Sequence, residues 1–362
     1  MGLPQLSFFC ELGGDALVEL FAEPAVIANL QALKAGISLG ILDLSSERAG
    51  VVRRLNRAGV PVVAWLLLPE EQGYWLNLDN VEHAVARYDA ILAWTAEHDL
   101  VWDGVGLDIE PHSDEVKLLF SDPLRLFPDM LGRLFEDESR LRHGEAAFDA
   151  LVRRIRADGY RIESYQLPFI VDERLAKSTL FRRLSGLAQV SADVEVLMLY
   201  SSMYRPFGPA LIESYGPEAG AIGVGSTGGG VDFGDIDLIA PLSWQELVRD
   251  LSMARQLGVP VHVISLEGCV SEDHLSRLVS MTWSAAPAPA SHPYVICDLG
   301  APAATRRIVA EYAPLSHPGG AAGGAMAGWA RPAEGAPAIT DWHESVSTPV
   351  WMTWHQGLKI RL

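Results

Sequence analysis

The fold of this chain is indicated most clearly by one stretch, Val101-Trp102-Asp103-Gly104-Val105-Gly106-Leu107-Asp108-Ile109-Glu110-Pro111. The pattern predicts a buried strand that ends in two acidic residues. Because alternate side chains of a strand share a face, Gly106, Asp108 and Glu110 are expected to lie on the same face. Two carboxylates at the end of an apolar strand are costly to bury unless they are paired or used in chemistry. Paired carboxylates are the groups that hydrolyse glycosidic bonds.

A helix-like run that ends in glycine and leads directly into an apolar strand occurs four times. The joints are Ala35-Gly36-Ile37, Ala58-Gly59-Val60-Pro61, Asp158-Gly159-Tyr160 and Leu257-Gly258-Val259-Pro260. A glycine directly after a helix supplies the left-handed turn that directs the chain into the next strand. Strands that alternate with helices in this way predict βα units and a parallel sheet.

Eight candidate strands can be placed along the chain, at roughly 6–12, 37–44, 60–68, 101–110, 160–170, 194–204, 219–226 and 260–268. The predicted helices between them include 81–98, capped by Asp79 or Asn80, and 244–257, which begins with a capping box of Ser243 and Glu246. Eight such units predict a (β/α)8 barrel. A doubly wound open sheet is the alternative, but Leu12-Gly13-Gly14-Asp15 lacks the glycine spacing of a dinucleotide site.

Two segments exceed a minimal barrel. Residues 112–143 lengthen the connection after the fourth strand and are predicted to form a partly helical excursion over the barrel mouth. We therefore assign residues 1–283 to a catalytic barrel domain and residues 284–362 to an extension rich in Ala, Pro and Gly. Three tryptophans near the end of the extension predict that it docks back on the barrel: Trp342, Trp351 and Trp354.

The composition excludes several classes of partner. The 362 residues carry a net charge of −18, which argues against nucleic acid. We find no apolar run long enough for a membrane span and no signal peptide at the start, so we expect a cytoplasmic protein. Cys10, Cys269 and Cys297 have neither a disulfide framework nor metal-ligand spacing. We expect no metal and no cofactor, and the oligomeric state is left open.

In a (β/α)8 barrel, functional groups lie at the carboxyl ends of the strands. Those positions here combine acids with aromatic rings, which fits a carbohydrate site better than a phosphate site. Glu70 and Glu71, after the third strand, are candidates for the rim of such a site. The candidate substrate-binding residues are Glu11, Asp43, Trp65, Tyr74, Trp75, Glu163, Tyr165, Gln166, Tyr204 and Glu267, and the candidate catalytic residues are Glu110, Asp108 and Tyr200.

The stretch from Asp103 to Glu110 is similar to the strand-four signature Asp-Gly-x-Asp-x-Asp-x-Glu of glycoside hydrolase family 18, the chitinase-like barrels. Met198-Leu199-Tyr200 resembles the Met-x-Tyr of the family's sixth strand. The chain departs from the family where Gly106 replaces the first acid of the Asp-x-Asp-x-Glu run and Ser201 follows the tyrosine. The family's tryptophan at the end of strand eight is replaced by the region of Glu267.

The resemblance implies a (β/α)8 hydrolase of oligosaccharides, including N-acetylated ones. Glu110 would protonate the leaving oxygen, and Asp108 would orient and stabilise the ring that forms and influence the pKa of Glu110. The acetamido oxygen would attack the anomeric carbon, so the protein would need no nucleophile of its own. Tyr200 would support the acetamido group.

Two other functions fit the same residues. Glu110-Pro111 also resembles the strand-four acid of retaining glycosidases, which would pair Glu110 with Glu267 or Glu163. A carboxyl separation of about 5–5.5 Å would then favour retention, and roughly 6.5–9.5 Å would favour inversion. The glycine at position 106 instead favours a catalytically silent barrel that binds a glycan or a protein partner.

Overall fold

The computed structural model describes residues 4–121, 132–133, 139–205, 207–229 and 240–281, together with four short strands between 293 and 361. Its centre is a closed barrel of eight strands, each paired with the next, and β1 pairs in parallel with β8. This closure confirms the predicted (β/α)8 barrel and excludes the open sheet. The strands are β1 Leu6–Cys10, β2 Gly36–Ile41, β3 Val62–Leu66, β4 Gly104–Ile109, β5 Ile162–Gln166, β6 Val194–Met198, β7 Ala221–Gly225 and β8 Val261–Ile264.

Helices connect the strands on the outside of the barrel. The helix at Trp244–Leu257 begins with the predicted capping box, because the Ser243 hydroxyl accepts from the Glu246 amide at 3.3 Å and the Ser243 amide donates to Glu246 Oε2 at 2.8 Å. The other α-helices in the described ranges are Gly14–Ala22, Pro24–Leu33, Ser46–Arg57, Val81–His98, Ser113–Ser121, Ser139–Ala157, Ile170–Ala176, Leu180–Ser185, Gly208–Tyr215, Leu266–Ser271 and His274–Ser280, with short 3-10 turns at Glu70–Gln72, Ser201–Tyr204 and Gly216–Glu218.

Three of the four predicted glycine turns are present. Gly59, Gly159 and Gly258 have φ angles of 69°, 92° and 73°, which place them in the left-handed region. The prediction for Gly36 is wrong, because the preceding helix ends earlier and Lys34 takes the left-handed position with φ 52°. Gly36 is instead the first residue of β2.

The strands are buried on both faces. Their outward side chains pack with the helices into one continuous apolar core. A second cluster fills the barrel interior, where the Phe9 ring lies 5.0 Å from Trp65 and 4.7 Å from Tyr165, centroid to centroid. Side chains therefore fill the lower part of the barrel interior. We call the end of the barrel at the carboxyl ends of the strands the mouth.

The two segments beyond the minimal barrel are described only in part. The helix Ser113–Ser121 follows β4, as expected for a partly helical connection. In the extension, the strand Pro293–Cys297 pairs antiparallel with Arg307–Glu311, and Trp351–Thr353 pairs antiparallel with Lys359–Arg361. The predicted docking of the extension, with Trp342 and Trp354, falls on residues outside those that the structure describes.

Among the described residues, no single helix is long and apolar enough to cross a bilayer. The successive helices Gly14–Ala22 and Pro24–Leu33 reach that length and hydropathy only as a pair, with a bend of 70° between them. Leu17, Phe21 and Leu30 of this pair are buried in the core outside the barrel.

The left-handed conformation of the glycines that follow helices can be tested by substitution. Gly258 has φ 73° and open space where a Cβ would lie, so Gly258→Ala should cost only the left-handed strain. We expect this variant to lower the free energy of unfolding by about 1–2 kcal/mol in chemical denaturation. Gly50, in the middle of the helix Ser46–Arg57, also has open space around it. Gly50→Ala is the matched control and should raise stability by about 0.5–1 kcal/mol. Equal effects of the two variants would contradict the assignment.

Candidate active site

The two acids of the fourth strand lie together at the mouth. Asp108 is 2% exposed, and Glu110 is half-buried directly after the end of β4. The two carboxyl groups influence one another, because the negative charge of Glu110 adds to the raised pKa of Asp108. Asp108 Oδ2 accepts a hydrogen bond from Trp65 Nε1 at 3.1 Å. Asp108 Oδ1 is buried and has no hydrogen-bond partner among the described residues.

Burial raises the pKa of both carboxyl groups. For Glu110 the raised pKa is about 7, and the neighbouring Asp108 side chain opposes the shift. The pKa of Asp108 is raised well above its ordinary value, and the negative charges of Glu110 and Glu11 add to the effect of burial. The Trp65 hydrogen bond opposes it. Both groups therefore hold a proton more readily than an exposed carboxyl does.

A loop after β3 fixes a tyrosine beside this pair. The Leu76 amide donates to the Asp108 carbonyl at 2.8 Å, and the Glu110 amide donates to the Leu76 carbonyl at 3.1 Å. The loop thus pairs with the end of β4 and brings the Tyr74 hydroxyl within 2.6 Å of Glu11 Oε1. Tyr74 has φ 63°, which is unusual for a bulky residue and occurs mainly where surrounding contacts enforce it.

Two tyrosines follow the end of β6. Burial and the charges of Asp108, Glu110 and Glu11 raise the pKa of Tyr200. Burial and the charge of Glu110 raise the pKa of Tyr204 to about 12. Both residues are half-buried, and both lie within electrostatic reach of Glu110.

Two further acids lie on the side of β1 and β8. Glu267 is in the first turn of the helix after β8, and its Oε1 accepts from the Glu11 amide at 3.4 Å. The Glu267 side chain also bonds the Cys10 thiol, whose pKa is raised by burial and by the charge of Glu267. Within the described ranges, no three acidic, histidine or cysteine side chains are grouped to hold a metal ion.

Glu163 lies deeper in the barrel than the other predicted acids. It is the second residue of β5 and is in register with Gly106, below Asp108 and Glu110. The Tyr165 hydroxyl donates to Glu163 Oε2 at 3.3 Å, and Arg161 lies 3.6 Å from Oε1. Burial raises the pKa of Glu163. The structure therefore places Glu163 beneath the inner aromatic cluster and away from the mouth.

Several other predicted residues contact the protein itself. Asp43 forms an ion pair with Arg48 at 2.9 Å and accepts from the Ser45 amide at 3.0 Å. Burial opposes ionisation of Asp43, but these bonds lower its pKa to about 2. Gln166 is buried and donates to the Ser164 hydroxyl at 3.4 Å, on the face of β5 that meets the helices. Their roles in substrate binding stay predictions.

The remaining aromatic and rim residues divide by depth. Trp65 and Tyr165 belong to the inner cluster, and Trp75 packs against Tyr74 with centroids 5.5 Å apart. Glu70 and Glu71 are exposed on the rim. Phe169, whose ring centroid lies 6.3 Å from that of Tyr204, is not among the residues predicted from the sequence. Its position shortly after β5 could have identified it as a candidate residue of the rim.

Comparison with known proteins gives a likeness in fold. No known protein family and no curated protein sequence matches the chain. The structure is similar to the PgaB (BpsB) glycoside hydrolase domain from Bordetella bronchiseptica, with 11% identity over 78% of this chain and 100% of that domain and a TM-score of 0.45. It is also similar to a chitinase from Chromobacterium violaceum, with 10% identity over 77% and 99% of the chains and a TM-score of 0.42.

Enzymes of other kinds share the architecture as well. A deoxyribose phosphate aldolase from Aeropyrum pernix is 12% identical over 75% of this chain and 89% of its own, with a TM-score of 0.39. Glycoside hydrolases are thus among the structural neighbours, together with barrel enzymes of different chemistry. At these identities the likeness concerns the (β/α)8 fold alone.

Proposed function

We propose that the chain is a glycoside hydrolase that acts on an oligosaccharide, with Glu110 as the general acid and Asp108 as the residue that assists it. The observation that carries the proposal is the adjacent pair of carboxyl groups, Asp108 and Glu110, at the end of β4, both with a raised pKa. A general acid must be protonated in the free enzyme near its working pH, and a pKa of about 7 meets this requirement for Glu110. The tyrosine rings beside the pair supply surfaces on which a sugar can stack.

The proposed reaction has two steps. Glu110 donates its proton to the glycosidic oxygen as the bond to the anomeric carbon breaks. On an N-acetylated sugar, the acetamido oxygen forms the new bond to that carbon, and Asp108 stabilises the positive charge that develops on the ring nitrogen. Water then attacks the anomeric carbon and gives its proton to the Glu110 carboxylate, which restores the acid.

If the mechanism uses two protein carboxylates, the candidate partners of Glu110 are Glu163 and Glu267. Glu163 is in register with Gly106, four residues before Glu110 along β4. Four residues of a strand span about 13 Å, so the backbone of Glu163 lies well below that of Glu110, and the Tyr165 hydroxyl contacts Glu163. Glu267 lies at the mouth beside Glu11. Of these two residues, Glu267 is therefore the one that would serve such a mechanism.

The first test removes the acid. Glu110→Gln is expected to lower kcat/KM by about 10²–10⁴ because the side chain can no longer give a proton to the leaving oxygen. Hydrolysis of aryl glycosides and N-acetylglucosamine oligomers would be measured with leaving groups of different acidity. The loss should be largest for the least acidic leaving groups, since these depend most on protonation.

The control for this test is Glu97→Gln, which makes the same chemical change on the exposed face of an outer helix. We expect it to keep the activity of the unaltered protein. Turnover by Glu110→Gln at the rate of the control would contradict the role of Glu110. A protein that hydrolyses none of the substrates but still binds oligosaccharide would instead support the silent barrel.

A second prediction concerns stability and pH. The pKa of Glu110 is raised in the folded state, so its stabilising contribution is present at acidic pH and is lost as the pH rises through about 7. Between pH 5 and pH 8, the free energy of unfolding should therefore fall by on the order of 2 kcal/mol. In Asp108→Asn this fall should be smaller, because the asparagine amide donates to Glu110 without adding a charge.

Denaturant unfolding at pH 5 and pH 8 measures this difference. The control is Asp99→Asn, at an exposed helix end where the left-handed backbone accepts either residue. It should lose stability with pH as the unaltered protein does. If Asp108→Asn shows the same loss as this control, the buried pair does not hold its proton in the way proposed.

A further inference from the structure

The position of Asp108 depends on what fills the barrel directly below it. A Cβ on Gly106 would lie 2.3 Å from the Tyr165 hydroxyl and 2.8 Å from two of its ring atoms. Tyr165 is fixed there, because its hydroxyl accepts from Ser38 Oγ at 3.1 Å and donates to Glu163. The space that a side chain at position 106 would need is therefore occupied, and such a side chain cannot be a partner for Asp108.

Trp65 supplies the fixed partner instead. Its indole is 3% exposed and packs edge-on against Phe9 and Tyr165, with centroids 5.0 and 6.0 Å away. The ring is thus held on two sides while Nε1 points to Asp108 Oδ2 at 3.1 Å. An indole N–H can only donate, so Oδ2 must remain an acceptor. A proton on Asp108 can then lie only on Oδ1, which is buried and has no hydrogen-bond partner among the described residues.

We propose that Trp65 is a positioning residue, whose indole N–H holds the Asp108 carboxyl as a hydrogen-bond acceptor beside Glu110. This inference rests on the proposed function of Glu110 as the acid. It assigns Trp65 to the hydrogen-bond network below the reacting groups and not to contact with the sugar. The N–H favours the ionised form of Asp108. The form with Glu110 protonated and Asp108 ionised is the one that the reaction requires.

The electrostatic surroundings of Asp108 make this bond significant. The groups around Asp108 are either acids or neutral hydroxyls. The acids are Glu11, after β1, and Glu110, after β4. The hydroxyls are those of Tyr74, in the loop after β3, Tyr165, on β5, and Tyr200, after β6. None of these groups favours the ionised form of Asp108 by its charge. Among the hydrogen bonds of Asp108, that from Trp65 is the one that lowers its pKa.

The test is a titration that needs no substrate. In protein with carbon-13 in the Asp and Glu carboxyls, the pair's signals are identified by their loss in Asp108→Asn and Glu110→Gln. Trp65→Phe keeps an aromatic ring but removes the N–H. We expect it to raise the pH at which the pair loses its last proton by about 1–2 units, the effect of one hydrogen bond to a buried carboxylate.

The matched control is Trp102→Phe. Trp102 is 7% exposed and donates to Thr95 Oγ1 at 2.9 Å, near the opposite end of β4 from Asp108. This variant loses a comparable buried hydrogen bond, and the pair should titrate as in the unaltered protein. A titration of Trp65→Phe that coincides with that of Trp102→Phe would overturn the proposal.

Two further measurements complete the test. The first uses the Trp65 indole N–H resonance of the unaltered protein, which is identified by its displacement in Asp108→Asn. This resonance should shift with pH as the pair titrates. A resonance independent of pH would overturn the proposal, even if Trp65→Phe fails to fold. The second uses a substrate that the protein hydrolyses. Trp65→Phe should lower kcat about tenfold, and the fall of kcat at alkaline pH should occur at a higher pH than in the unaltered protein. An unchanged kcat and an unchanged pH profile would also overturn the proposal. The titrations do not depend on turnover, so they separate this proposal from failure of the hydrolase assay.

Discussion

The hydrogen bond from the Trp65 indole N–H to Asp108 is the interaction on which the mouth of the barrel depends. Asp108 and Glu110 lie two residues apart at the end of β4, and two carboxylates so placed repel each other in a medium of low dielectric constant. The indole donor stabilises the charge on Asp108, while burial raises the pKa of Glu110. The Leu76 backbone pairs with the end of β4 and fixes the spacing of the two residues. The same geometry therefore accounts for the stability of the pair and for its chemistry.

The glycine at position 106 follows from the packing below the pair. The Tyr165 ring crosses the barrel axis and fills the volume above Gly106, with Phe9 against its edge. A third acid on this face of β4 would need that volume and would bring another charge into the interior. In this chain the inner aromatic cluster lies below Asp108, and the indole N–H of Trp65 donates from it to Asp108. The glycine at position 106, where the signature that this stretch resembles has an acid, is thus explained by the packing of Tyr165. Asp108 and Glu110 remain at the mouth.

The fold was predictable because its signals are local. Glycines after helices, a capping box at Ser243 and apolar runs each depend on neighbouring residues, and the barrel follows from their alternation. The depth of a side chain is not local. Glu163 and Asp43 each follow the rule for strand ends in the sequence, yet a buried tyrosine covers Glu163 and Arg48 pairs with Asp43. The bond from Trp65 to Asp108 joins residues 43 positions apart, and no spacing rule indicates it.

The arrangement also explains why an acidic mouth can exist in a stable barrel. The inner aromatic cluster and the outer core bury both faces of the strands, and the carboxyls of the mouth lie at or directly after the ends of β1 and β4 and in the first turn after β8. Each carboxyl has a polar contact at that level: Glu11 with Tyr74, Glu267 with the Glu11 amide, and Asp108 with Trp65. Glu110 is the least enclosed of the strand-four pair. It is therefore the member of the pair whose proton a bound sugar can reach.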